Sequence, residues 1–124
     1  MPLKNYTTKV PADRSIKEIQ DSLVKHGATG VLLEYEKGTG RISSLKFRFD
    51  LNGQDVAFRL PIDWRRFQAV LQNDGVKRSD DNDYAYRVAW RCVRDWVLAQ
   101  MALHETQMVE IQQVFLPYAM ANDG

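Results

Sequence analysis

An alternation of apolar and polar residues repeats three times in the first half of the chain. In residues 44–51, Leu45, Phe47 and Phe49 fall on one side and Lys46, Arg48 and Asp50 on the other. This period of two marks a strand with one buried face. Residues 30–36 set Val31, Leu33 and Tyr35 against Leu32, Glu34 and Glu36, and residues 55–60 set Val56, Phe58 and Leu60 against Arg59. Asn52-Gly53 joins the last two stretches, and that dipeptide favours the two-residue turn of a β-hairpin. On either side of this meander the spacing becomes helical. Ile16, Ile19, Leu23 and Val24 form one stripe, Ser15 and Glu18 have the capping-box form, and Gly27 supplies a stop. After Pro61, Asp63 is placed to cap a helix over residues 64–73, with Trp64, Phe67, Val70 and Leu71 as its apolar side and Asp74-Gly75 as its end.

The longest periodic stretch is residues 81–107. Ala85, Ala89, Cys92, Trp96, Ala99 and Leu103 recur at spacings of three and four, and Val88, Val93 and Val97 widen the stripe into the face of a core helix. Asp80, Asp81 and Asp83 stand where such a helix begins. At its usual rise it is roughly 39 Å long, enough to cross a small domain. Arg87, Arg91 and Arg94 fall on its far side, with Asp95 one turn after Arg91 as a weak surface partner. Elsewhere the pattern is less regular. Residues 4–10 are rich in β-formers and predict a further strand, ended by Pro11. Residues 76–83 read as a polar, mobile loop, 108–113 as a short helix, and 114–118 as an apolar segment packed back on the core; 119–124 carry no packing signal.

The pattern predicts an α+β fold in a single domain, residues 1–124. A mainly antiparallel sheet of about four strands is packed on one side by helices, including one long C-terminal helix. Leu45, Phe47, Phe49, Val56, Phe58, Ala89, Val93 and Trp96 are the expected core. Trp64, Tyr86 and Trp90 are too many large rings to share it, which places at least one tryptophan other than Trp96 at the surface.

Composition narrows the function classes. With 44% hydrophobic and 27% charged residues the chain is ordinary for a globular protein. Its 17 Lys and Arg against 16 Asp and Glu exclude a nonspecific polyanion binder, so any nucleic-acid site is a local patch. One cysteine forms no internal disulfide and suits a reducing compartment. No apolar run has the length of a membrane span or of a signal-peptide core, so the expected location is cytoplasmic, with no membrane partner.

Four stretches carry a resemblance: HGATG at 26–30, FRLP at 58–61, the run RVAWRCVRDWVLAQMALHE at 87–105, and VFLPY at 114–118. Together they resemble a family of small uncharacterised proteins associated with bacteriophages, prophages and other mobile elements. The resemblance covers nearly the whole chain. It brings no residue with an assigned chemistry and implies an accessory protein acting on DNA or on a host factor.

The residues themselves offer little catalytic signal. HExxH, paired CxxC, Gly-x-Ser-x-Gly and a phosphate-binding glycine loop are all absent from the sequence, and no cofactor or metal is expected. His26 suits the negative end of its helix. Cys92 and His104 lie twelve residues apart on one helix, roughly 18 Å, too far for a nucleophile and its base. Gln100 and His104, one turn apart, read as a buried polar pair satisfied by hydrogen bonds, or as a polar spot in a pocket or dimer interface. The stronger constellation is basic and aromatic: Arg65, Arg66, Arg87, Trp90, Arg91 and Arg94, with Trp64, Lys77, Arg78 and Tyr84 beside them. Arginine grips phosphate in two-point contacts and flat rings stack on bases. Lys46, Arg48 and Arg59 add charge on the sheet, with Glu34 and Glu36 near to neutralise it. The expectation is a non-enzymatic protein that binds nucleic acid or a host complex handling it, including an anti-defence role. The alternatives are a protein-interaction or homodimerisation module, for which Trp and Arg are equally suited, and a small enzyme with an unrecognised site.

Overall fold

The computed structural model describes residues 3–120. Its elements in order are α1 (Ala12–Lys25), β1 (Ala28–Tyr35), β2 (Ile42–Leu51), β3 (Gln54–Pro61), α2 (Trp64–Asn73), α3 (Asn82–Glu105) and α4 (Ile111–Phe115), followed by a 3-10 turn over Leu116–Tyr118. The three strands form one antiparallel sheet in the order β1-β2-β3. Asn52 and Gly53 both take left-handed φ, 56° and 83°, as the hairpin turn requires. The register stacks Leu33, Leu45 and Leu60 in one row and Val31, Phe47 and Phe58 in the next. Phe47 and Phe49 are buried, so the alternation assigned the buried face of β2 correctly. A register shift after Glu34 turns Tyr35 out into solvent.

Helices cover the apolar face. α3 packs between α1 and α2, and side chains from all three join the sheet residues in one hydrophobic cluster. Asp63 caps α2, and Asp81 caps α3 by accepting from the amides of Asp83 and Tyr84. Phe115 closes the far end. It is fully buried, with ring centroids 4.8 Å from Phe47, 5.6 Å from Phe58 and 5.9 Å from Trp96. Segment 114–118 thus folds back onto the core, as its apolar character implies.

Several expectations are corrected. The sheet has three strands, not about four. Residues 4–7 make turns, with Asn5 at φ 64°, and 8–10 are irregular; polar groups of this segment bond to α3 instead of a neighbouring strand: Asn5 Nδ2 donates to Asp95 at 2.9 Å, and the Cys92 thiol donates to the Lys4 carbonyl at 3.0 Å. α1 starts one turn before the capping-box serine, on Pro11; Ser15 is buried inside the helix and Glu18 turns toward α3. The long helix is not terminal, since α4 and the 3-10 turn follow it, and the short helix lies at Ile111–Phe115 rather than at 108–113. Ala119 makes an antiparallel backbone bridge to Phe58 on the edge of β3, for which the sequence carried no signal; residues 121–124 lie outside the described residues.

The largest correction concerns the rotation of α3. Its buried residues are Tyr84, Ala85, Val88, Ala89, Trp90, Val97 and Met101. Trp90 is 0% exposed and Trp64 3%, whereas Trp96, expected in the core, is 37% exposed. Val56 and Val93 are half-buried. The core therefore holds both tryptophans that seemed too many for it.

Burial sets the expected cost of truncation. Phe115→Ala and Trp90→Ala each lower stability by about 3–5 kcal/mol, as complete removal of a buried ring does. Trp96→Ala costs clearly less, because part of its ring already meets water. Urea denaturation of the three variants measures the ranking, and a Trp96 variant less stable than the Phe115 variant would contradict this packing.

Candidate functional site

The six arginine and tryptophan positions singled out by the sequence do not form one surface. Arg65 lies over the Trp64 ring at 4.4 Å and donates to Glu36 at 2.7 and 3.3 Å. The hydrogen bonds from Arg65, then from Thr39, hold the Glu36 carboxyl down at about 2. Arg66 stands in solvent near Asp63, 3.4 Å away. Trp90 is enclosed, with the Tyr86 ring edge-on at 6.5 Å, and offers no face to a ligand. Arg91 and Arg94 turn toward α1 and meet Glu18 at 3.5 and 2.6 Å. The expected Arg91–Asp95 pair is replaced by Arg94–Asp95 at 3.0 Å. Burial pushes the Glu18 carboxyl up, but the Arg94 and Arg91 contacts outweigh it and the net shift is downward. These two arginines bind α3 to α1.

Arg87 is different. It lines a cleft of about 470 Å³ whose walls are residues 6–9 on one side and 74–78 on the other, with Tyr84 and Arg87 from the first turns of α3 between them. Docking of the N-terminal segment on α3, through Lys4, Asn5, Cys92 and Asp95, places the first wall. The second follows the end of α2 and is held by Gln68 and Gln72, which donate to the Ser79 carbonyl and to Asp80. The guanidinium carbons of Arg78 and Arg87 each lie 5.4 Å from the Tyr84 ring centroid.

The cleft gathers cations that the rest of the molecule leaves uncompensated. Of the 17 Lys and Arg, all but Lys9, Lys37, Lys77 and Arg87 have a carboxylate within 4.0 Å among the described residues. Three of those exceptions line this cleft. Arg78, also in the cleft, is matched by Asp81 at 3.1 Å. The Nε of Arg87 is buried with no acceptor, and leaving such a donor unpaired costs about 1–3 kcal/mol. Sequence reasoning found Lys77, Arg78, Tyr84 and Arg87, which are near neighbours in the chain. It missed Tyr6 and Lys9, which reach the cleft only because the N-terminal segment packs on α3.

Other constellations are structural. On the open sheet face, hydrogen bonds from Ser44 and then Arg59, with Lys46 nearby, hold the Glu34 carboxyl at about 2. Arg48 meets Asp55 at 2.7 Å, so this face is largely neutralised. Burial pushes the Cys92 thiol up, away from the thiolate a nucleophile needs. The expected Gln100–His104 pairing gives way to an edge-on contact of the His104 and His26 rings, 5.9 Å apart, and His104 Nδ1 is buried without a partner. His26 sits between the Ser22 carbonyl at 2.7 Å and Glu105 at 3.0 Å. Among the described residues no His, Cys, Asp and Glu group could hold a metal ion, and no helix is long and apolar enough to cross a membrane.

The N-terminal wall depends on Asp95, whose titration gives a test. Burial pushes its carboxyl up, but hydrogen bonds from Asn5, Lys4 and Arg94 outweigh this and bring it from 3.8 to about 2. A carboxyl depressed on folding stabilises the folded state above its unfolded value and loses that contribution as pH falls through its folded value. Asp95→Asn is therefore less stable than the parent at neutral pH, and the gap narrows between pH 3.8 and about 2. Urea denaturation at a series of pH values measures this; a gap that stays constant over that range would detach Asp95 from the wall.

No family model, curated protein or solved structure matches this chain.

Proposed function

We propose that this protein is a non-enzymatic accessory protein of a bacteriophage or mobile element that binds nucleic acid, or a host complex carrying it, through the cleft between residues 6–9 and 74–78. An anti-defence role is the biological form this would take if that complex is a host defence effector. The phage context rests on the sequence resemblance described above. One observation supports the binding reading most: Lys9, Lys77 and Arg87 converge without carboxylate partners among the described residues, beside the partly exposed ring of Tyr6. Cations left uncompensated supply phosphate contacts, and an exposed aromatic ring supplies stacking that tolerates any base. Catalysis is disfavoured, since the cleft holds no base paired with a nucleophile.

Fluorescence anisotropy with labelled single-stranded and duplex oligonucleotides tests the proposal. Log affinity falls against log salt, with a slope of about −0.7 for each phosphate charge of a single strand that the cleft neutralises. Lys77→Glu and Arg87→Glu abolish binding, whereas Arg66→Glu, outside the cleft, leaves it near the parent value. Equal losses in all three variants would point to general charge and sink the site.

A second reading is favoured by the position of Trp96. With Phe67, Tyr118, Cys92 and Val93 it lines an apolar cleft of about 620 Å³ on a different face of α3. A partly exposed tryptophan beside such a cleft suits the core of a protein interface, here with a second copy of the chain. Sedimentation then gives a dimer for the parent protein and a monomer for Trp96→Arg; a monomeric parent at high concentration would remove this reading.

A further inference from the structure

We infer that the ligand group held in the cleft is a phosphate monoester, the terminal phosphate of a single nucleic-acid strand, and not the internal diester backbone. This rests on the cleft being the binding site proposed above. Charge is the first argument. Lys9, Lys77 and Arg87 face one carboxylate, Asp74, while Arg78 is matched by Asp81. Two positive charges are thus in excess. An internal diester carries one negative charge, whereas a monoester carries about −1.5 to −2 at neutral pH. A single monoester balances the cleft and a single diester does not.

Shape is the second. The cleft encloses about 470 Å³, within the range of small-molecule sites of about 300–1,000 Å³. It admits one nucleotide unit, while a duplex presents its phosphates on ridges too broad to enter. Arg87 lines the cleft and has no carboxylate partner among the described residues. A monoester has three free oxygens to share among Arg87, Lys77 and Lys9, and a diester has two. The remaining lining groups suit the rest of a nucleotide. Tyr6 is 37% exposed and can stack on a base. Asp74, which would repel a phosphate placed beside it, accepts hydrogen bonds from a sugar hydroxyl or a base amino group. The phosphate therefore sits toward Arg87 and the nucleoside toward Asp74.

A free nucleoside monophosphate presents the same chemistry, so the test separates the two sources. Binding of the full-length protein is measured by titration calorimetry. The ligands are one short single strand in three forms, with a 5′-phosphate, a 3′-phosphate or hydroxyl at both ends, together with adenosine monophosphate and inorganic phosphate. The expected result is that a phosphorylated strand binds about tenfold more tightly than the hydroxyl-ended one, the gain from added charge-assisted hydrogen bonds. Lys77→Ala and Arg87→Ala remove that difference and Arg66→Ala keeps it. Lys77 is exposed, so its variant remains informative if the Arg87 variant fails to fold. Equal binding of all three strands, weakened by Lys77→Ala, overturns the monoester inference and leaves the nucleic-acid reading standing. Adenosine monophosphate binding as tightly as the phosphorylated strand upholds the monoester site but overturns the strand end as its source. No binding by any strand or by the mononucleotide overturns both this inference and the reading beneath it.

Discussion

The structure depends on the enclosure of α3. A three-stranded sheet with one apolar face needs a cover, and a single helix is too narrow to exclude water from it. α3 therefore carries α1 on one flank and α2 on the other, and the N-terminal segment binds Cys92 and Asp95. A helix touched on so many sides has little outer surface left. Trp90 is absorbed into the core, and Arg91 and Arg94 are drawn to Glu18. At its first turns Arg87 is half-buried and lines the cleft, where it remains available to a ligand.

Charge follows the same logic. The net charge of +1 describes a chain in which most cations are answered locally. Glu34 is shared by Lys46, Arg59 and Ser44; Glu36 is held by Arg65 and Thr39; Glu18 by Arg91 and Arg94. Most of these pairs are partly solvated, and each adds little to stability. Their effect on the field is larger, because they remove positive potential from the sheet and from the middle of α3. Among the described residues, three of the four cations left without a carboxylate meet in the cleft, so a nearly neutral protein still has a locally basic spot there.

The elements that could be read from the sequence are those fixed by local chemistry. The hairpin at Asn52-Gly53 and the caps at Asp63 and Asp81 involve residues a few positions apart, and they stand where the pattern placed them. The rotation of α3 was not legible. When a helix has neighbours on three sides its apolar residues spread around most of the circumference, and periodicity no longer says which tryptophan faces the sheet. The extra strand failed for a related reason. Residues 4–10 have strand-like side chains, but α3 offered partners for their polar groups and no strand edge did. In the cleft, Lys77, Arg78, Tyr84 and Arg87 could be grouped from their order in the chain. Tyr6 and Lys9 are joined to them only by tertiary packing, and periodicity carries no trace of it.

The position of Phe115 also bears on how the protein is made. The ring that completes the phenylalanine cluster of β2 and β3 comes from a segment translated well after both strands and after all of α3. A chain that has formed the sheet without α4 leaves Phe47 and Phe58 without the cover of the Phe115 ring. Contacts so distant in sequence are slow to close, and an uncovered aromatic face is the kind of surface that chaperones hold and that crowded chains aggregate through.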